Sequence, residues 1–168
     1  MKNRKPDRRK FLKRGLKTAG AAAVVGTLNL PASGKPAPGK SAKKVIYRPG
    51  EKPSPDAVYS PGIQYGNLLF LSGTGAQDPA TRKMVEGPIQ NQVRQCLENL
   101  KTVLEAAGSS MDQVLKCTVF LTDITKWGEM NVAYHQYFSK DPPARTTIAA
   151  KDLPMDTPVE IECIAYVD

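Results

Sequence analysis

Between Ile89 and Ala107 apolar residues return every three or four positions: Ile89, Val93, Cys96, Leu97, Leu100, Val103, Leu104 and Ala107, with Gln90, Arg94, Glu98 and Lys101 on the other side. That period predicts an amphipathic helix, ended by Gly108 because glycine accepts the left-handed backbone of a helix C-terminus. From 114 to 122 the period drops to two. Leu115, Cys117, Val119 and Leu121 alternate with Lys116, Thr118, Phe120 and Thr122, which predicts a strand with one face in the core. A second helix carries the stripe Trp127, Met130, Asn131, Tyr134 and Phe138, with Asp123 or Thr125 as cap and Asp141-Pro142-Pro143 as the stop. Two strands close the chain, at about 145–150 and 159–167, joined through Leu153-Pro154.

Before the first helix, Val45-Ile46-Tyr47 is a short β run closed by Arg48-Pro49-Gly50, and a proline-rich loop follows. Gly66-Asn67 then separates two extended runs, a hairpin signal, and Gly73 and Gly75 leave the backbone open to close approach. The order reads as ββαβαββ, an α+β domain in which two helices cover one face of a mixed sheet. The other face would carry Thr118, Phe120, Ile164 and Tyr166 beside Glu160 and Glu162. A mixed apolar and charged surface of that kind predicts self-association, with crevices between copies.

Charge divides the chain. Residues 1–44 hold 13 Lys or Arg against one acid, whereas residues 45–168 hold 11 basic and 15 acidic residues. The high isoelectric point therefore belongs to the leader, and a folded domain of net −4 is a poor nucleic-acid binder. Within the leader, Asp7-Arg8-Arg9-Lys10-Phe11-Leu12-Lys13 precedes a mildly apolar, alanine-rich stretch too short to span a bilayer stably. The pattern is that of a twin-arginine export signal over 1–32, with the export machinery as partner and an extracytoplasmic or periplasmic destination. An uncleaved basic arm lying on an anionic membrane surface is the alternative. Residues 33–44, rich in Lys, Pro, Gly and Ser, read as a disordered linker to the domain at 45–168.

Cys96, Cys117 and Cys163 are widely spaced without a CxxC pair, and His135 is the one histidine, so no zinc-finger pattern exists. The cysteines fall on apolar stripes and read as buried thiols. His135 reads as ordinary surface. The chemistry is expected at Arg145 and Glu160. Arg145 begins a strand behind Pro142-Pro143-Ala144, a stiffened approach that aims a guanidinium fork well at a planar carboxylate. Glu160 opens the alternating strand and could steer a water, while a surface salt bridge between Arg145 and Glu162 is the plainer alternative. Asn131 interrupts the apolar stripe of the second helix, so its amide must find partners in a structural or a ligand-binding role.

These residues resemble the Rid (RidA/YjgF) proteins, the reactive-intermediate deaminases. The likeness rests on Tyr59, on 67–73 (NLLFLSG), 99–108 (NLKTVLEAAG), Thr118-Val119-Phe120-Leu121 with Asp123, Asn131-Val132-Ala133-Tyr134, Pro143-Ala144-Arg145-Thr146-Thr147 and 159–165 (VEIECIA). It implies a chorismate-mutase-like fold, a homotrimer with ligand sites between subunits, and hydrolysis of imines and enamines such as 2-aminoacrylate to 2-oxo acids and ammonia without a cofactor. It further implies Arg145 on the substrate carboxylate, Glu160 on the attacking water, the backbones of Gly73 and Thr147 about the amino end, Tyr59 against the ligand and Asn131 as polar support. Thr147 stands where some members have cysteine, Ala57-Val58 where Gly-Pro is common and Thr74 where many have glutamine. Those departures bear on substrate choice. An exported trimer that binds a small carboxylate without turnover is the alternative function, and a ribonuclease-type activity is attached to some relatives.

Overall fold

The computed structural model describes residues 42–168. The twin-arginine-type leader and most of the expected linker lie outside the described residues. Six strands and two helices follow: β1 (Lys44–Ile46), β2 (Gly62–Tyr65), β3 (Leu68–Gly75), α1 (Ile89–Ala106), β4 (Val114–Leu121), α2 (Trp127–Tyr137), β5 (Ala144–Ala149) and β6 (Val159–Tyr166). Lys44, assigned to the linker by composition, already belongs to β1. Three strands precede α1 rather than two, because the short run at 45–47 pairs with β2. Among the described residues no helix is long and apolar enough to cross a membrane.

The strands form one sheet in the order β1-β2-β3-β6-β4-β5. β5 runs parallel to β4 and all other pairs are antiparallel, so the sheet is mixed as expected. Gly66 takes φ 63° at the β2–β3 turn, a corner that suits a residue without Cβ. Helix α1 turns Ile89, Val93, Cys96, Leu97, Leu100, Val103 and Leu104 onto the sheet, and Gly108 closes it at φ 79°. Leu97 is fully buried; truncating such a residue to alanine costs about 2–5 kcal/mol through lost transfer energy and the cavity left behind.

Two expected core positions differ. Leu115 is 47% exposed, because the β4–β6 register shifts between Val114 and Lys116 and turns Val114 inward instead. Trp127 is 49% exposed at the first residue of α2, and the packed residues of that helix are Met130, Ala133, Tyr134 and the following Phe138. Asp123 does cap this region: its carboxylate accepts from the Thr125 N–H at 2.9 Å and opens the 3₁₀ turn that leads into α2. The sheet face away from the helices exposes Leu68, Phe70 and Ile148 beside half-buried Phe120, Ile164 and Tyr166.

Candidate functional site

Parallel pairing of β5 with β4 sets Arg145 opposite Cys117, on the helix-covered face. There α2 surrounds it with neutral groups. The Nη2 of Arg145 donates to Asn131 Oδ1 at 2.7 Å. Its Cζ lies 4.5 Å from the centre of the Tyr134 ring, and Nη1 meets Met130 Sδ at 3.9 Å. Among the described residues Arg145 forms no ion pair. The salt bridge with Glu162 is not formed, because Glu162 is opposite Thr118 on the other face of the sheet. An open cleft of about 460 Å³ lies over the guanidinium, lined by Asn131, Tyr134, His135, Phe138, Ser139, Pro142, Pro143 and Arg145. It contains no carboxylate, so an anion entering it meets an uncompensated positive charge. His135 stands one turn beyond Asn131 in this lining; expected as ordinary surface, it is exposed, but at the rim of the cleft.

Thr147 follows two residues along β5 on the same face, and its buried Oγ1 has no hydrogen-bond partner among the described residues. β5 is an edge strand, so part of its backbone is left for another chain or a ligand.

Glu160 belongs to a different place. It pairs with Phe120 on one side and Gly75 on the other, which puts it on the face away from the helices. One extra residue in β3 between Leu71 and Thr74 makes a bulge here and brings Gly73 against it. A Cβ built on Gly73 would lie 2.7 Å from Glu160 Cδ, so the carboxylate occupies the space a side chain would need. Among the described residues the Glu160 carboxylate has no hydrogen-bond partner, and burial, with Glu162 adding its charge, raises its pKa above the ordinary carboxylate value. The Tyr59 loop is tied to the same spot: Ser72 donates its hydroxyl to Ser60 O at 2.7 Å, and the Ser72 N–H bonds Pro61 O. Tyr59 itself is 63% exposed.

The candidate residues thus gather into two half-sites. Arg145, Asn131 and Thr147 form one, on the β5 edge and the helix side; Gly73, Glu160 and the Tyr59 loop form the other, on the opposite face at β3 and β6. Within one chain the sheet separates them. The first can hold a planar carboxylate and the second a water or a proton. Tyr134, whose ring faces the guanidinium, carries no site role in the sequence pattern, where it belongs to the apolar stripe of the second helix. Its helical spacing from Asn131 was visible in the sequence, but nothing there shows that Arg145 would arrive on that side.

The three cysteines are free and buried, and burial pushes each thiol up, as expected for inert side chains. Cys117 and Cys163 face each other across β4 and β6.

Comparison with known proteins gives this geometry a setting. The profile of a family described as Endoribonuclease L-PSP matches residues 49–167. A RutC family protein of Pyrococcus horikoshii is 44% identical over 124 residues, covering 74% of this chain and 98% of that protein. A 2-iminobutanoate/2-iminopropanoate deaminase of Dermatophagoides farinae is 34% identical over 128 residues, 76% of this chain and 99% of the relative. The crystal structure of E. coli TdcF with bound serine aligns at a TM-score of 0.67 and 33% identity over 74% of this chain and 99% of that one. With the profile covering nearly all described residues and the helices lying on a mixed sheet of the same design, the chain belongs to the Rid, or endoribonuclease L-PSP, family.

Proposed function

We propose that this protein is a cofactor-independent deaminase that hydrolyses small 2-imino acids to 2-oxo acids and ammonia, in a homotrimer whose sites join the Arg145 half of one copy to the Glu160 half of another. One observation carries the reading: a guanidinium held in place by neutral groups, with no acid of its own, at an open cleft. Arg145 takes the substrate carboxylate through two parallel hydrogen bonds, which fixes the plane of the adjacent C=N carbon. Glu160 accepts a proton from a water as its oxygen bonds to that carbon. Glu160 then returns that proton to the carbinolamine nitrogen; the C–N bond breaks to release ammonia as the C=O bond forms, and the hydroxyl proton passes back to Glu160. An enamine enters the same route after protonation at carbon. Within one chain burial raises the pKa of the Glu160 carboxyl while Arg145 of an adjoining copy would lower it, and a carboxylate held between these effects serves as a general base, typically worth about 10²–10⁴-fold. Thr147 and Gly73 supply backbone groups at the amino end, Tyr59 lies against the ligand, and Asn131 holds the guanidinium.

Support comes from the imine deaminase among the relatives and from the apolar outer sheet face, which a second copy would cover. The test is ammonia and oxo-acid release from freshly generated 2-iminobutanoate. Wild type should accelerate it and Arg145→Ala should not; equal rates would remove the reading. The serine held by TdcF favours a second reading, a trimer that binds a small carboxylate without turnover. Calorimetric binding of 2-oxobutanoate, dependent on Arg145 and unaccompanied by imine hydrolysis, would select it. Ribonuclease action fits less well, since the domain is acidic and holds a single histidine.

The location is proposed from sequence alone. Paired Arg8-Arg9 ahead of the apolar stretch directs export by the twin-arginine route. Replacing both by lysine should leave the protein inside the cytoplasm on fractionation, and unchanged export would refute it.

A further inference from the structure

We propose that Tyr134 is a positioning residue, the platform that holds the Arg145 guanidinium in the plane where a ligand carboxylate meets it. The inference rests on the deaminase reading for its substrate, but its geometry is independent of turnover. The ring centre is 4.5 Å from Arg145 Cζ, inside the range of a cation–π contact. The platform is itself fixed: Tyr134 is 5% exposed, and its ring lies 4.6 Å from that of Phe138 at an interplanar angle of 40°. Asn131 anchors one end of the fork. With one face on the ring, Nη2 on Asn131 and Nη1 against Met130 Sδ, the long arginine side chain keeps few conformations where it lines the cleft.

An acid in the same place would hold the arginine as firmly, but it would compete with the ligand. A neutral π face orients the cation and leaves its charge available. The Tyr134 hydroxyl is buried against the Cys117 thiol, a weak partner, and makes no well-formed hydrogen bond among the described residues. Burial, first among the causes, pushes its pKa upward, so the phenol stays neutral. The part of Tyr134 that serves the site is therefore the ring.

The experiment compares wild type with Tyr134→Phe and Tyr134→Leu as intact oligomers. Tyr134→Phe keeps the platform and should retain KM for 2-iminobutanoate within about twofold, with little change in Tm, because only a weak hydroxyl–thiol contact is removed. Tyr134→Leu should raise KM about tenfold while kcat changes much less, and weaken 2-oxobutanoate binding in parallel. NMR gives a signature that simple core filling would not: the Arg145 Nε–H proton should be shifted upfield by the ring in wild type and Tyr134→Phe, and return toward its ordinary position in Tyr134→Leu. Unchanged KM and binding in a folded Tyr134→Leu, an unshifted wild-type resonance, or equal damage in Tyr134→Phe would overturn the platform. Turnover with an unaffected Tyr134→Leu sinks this inference alone. Binding of 2-oxobutanoate that depends on Tyr134, without any turnover, sinks the deaminase reading alone.

Discussion

Arg145 is surrounded before any ligand arrives, whereas Glu160 is left without a partner. The cation has an amide oxygen, an aromatic face and a sulfur around it. The acid has a glycine backbone beneath it, a second carboxylate on its strand and no hydrogen bond among the described residues. A group that must bind the ground state benefits from being fixed in advance, because little reorganisation is then lost on binding. A group that must exchange protons benefits from weak stabilisation of its charge, since that raises its basicity. In the proposed trimer the difference between the halves is a division of labour, with the two tasks falling to different copies of the chain.

The largest effect should come from breaking each half separately. Arg145→Ala and Glu160→Gln should each lose at least about a hundredfold in kcat/KM, and trimers co-assembled from equal amounts of the two should regain about one quarter of wild-type activity. That recovery requires one intact half from each of two chains; mixtures that remain inactive would mean the halves do not meet across an interface. Gly73→Ala sharpens the contrast, because its methyl competes with the Glu160 carboxylate for space. It should cost about 1–3 kcal/mol by overpacking and at least about tenfold in kcat, while 2-oxobutanoate binding at Arg145, followed by calorimetry, falls less. Equal losses in both would blur the distinction.

The smallest effect concerns stability. Glu160 has a folded-state pKa above its unfolded value, so the folded state is favoured while the group is protonated, and that advantage is lost as pH rises through the raised value. Glu160→Gln should therefore raise Tm at pH 7–8 by about 1–4 °C and give no gain near pH 3, in thermal melts at matched oligomeric state. A lower Tm at neutral pH would show that another group, such as Arg145 of an adjoining copy, supports the carboxylate in the assembly.

Much of this arrangement was legible along the chain, and the limits have physical causes. The unbroken period of α1 and the strict alternation of β6 reflect burial on one side, which a linear pattern records directly. Asn131 and Arg145 were each identifiable, one as a polar break in an apolar stripe and the other by its proline approach. Leu115 misled because a bulge inverts the inward face locally, and alternation carries no mark of an extra residue. The opposition of Arg145 and Glu160 was hidden for a related reason. It depends on the register of β5 on β4 and of β4 on β6, a relation between distant segments. Tyr134 was masked by its double employment, since one ring packs the interior and faces the guanidinium.

The connection from β4 through α2 to β5 has a consequence for how the site comes into being. Asn131, Tyr134 and Arg145 lie within a short stretch of chain, so their arrangement needs only that strand–helix–strand unit to close. Gly73 and Glu160 are brought together by strands from opposite ends of the domain, and joining them demands a much longer loop closure. During folding, the anion receptor should mature early and the proton acceptor late, so an incompletely folded chain would capture organic acids before it gained any means of transforming them.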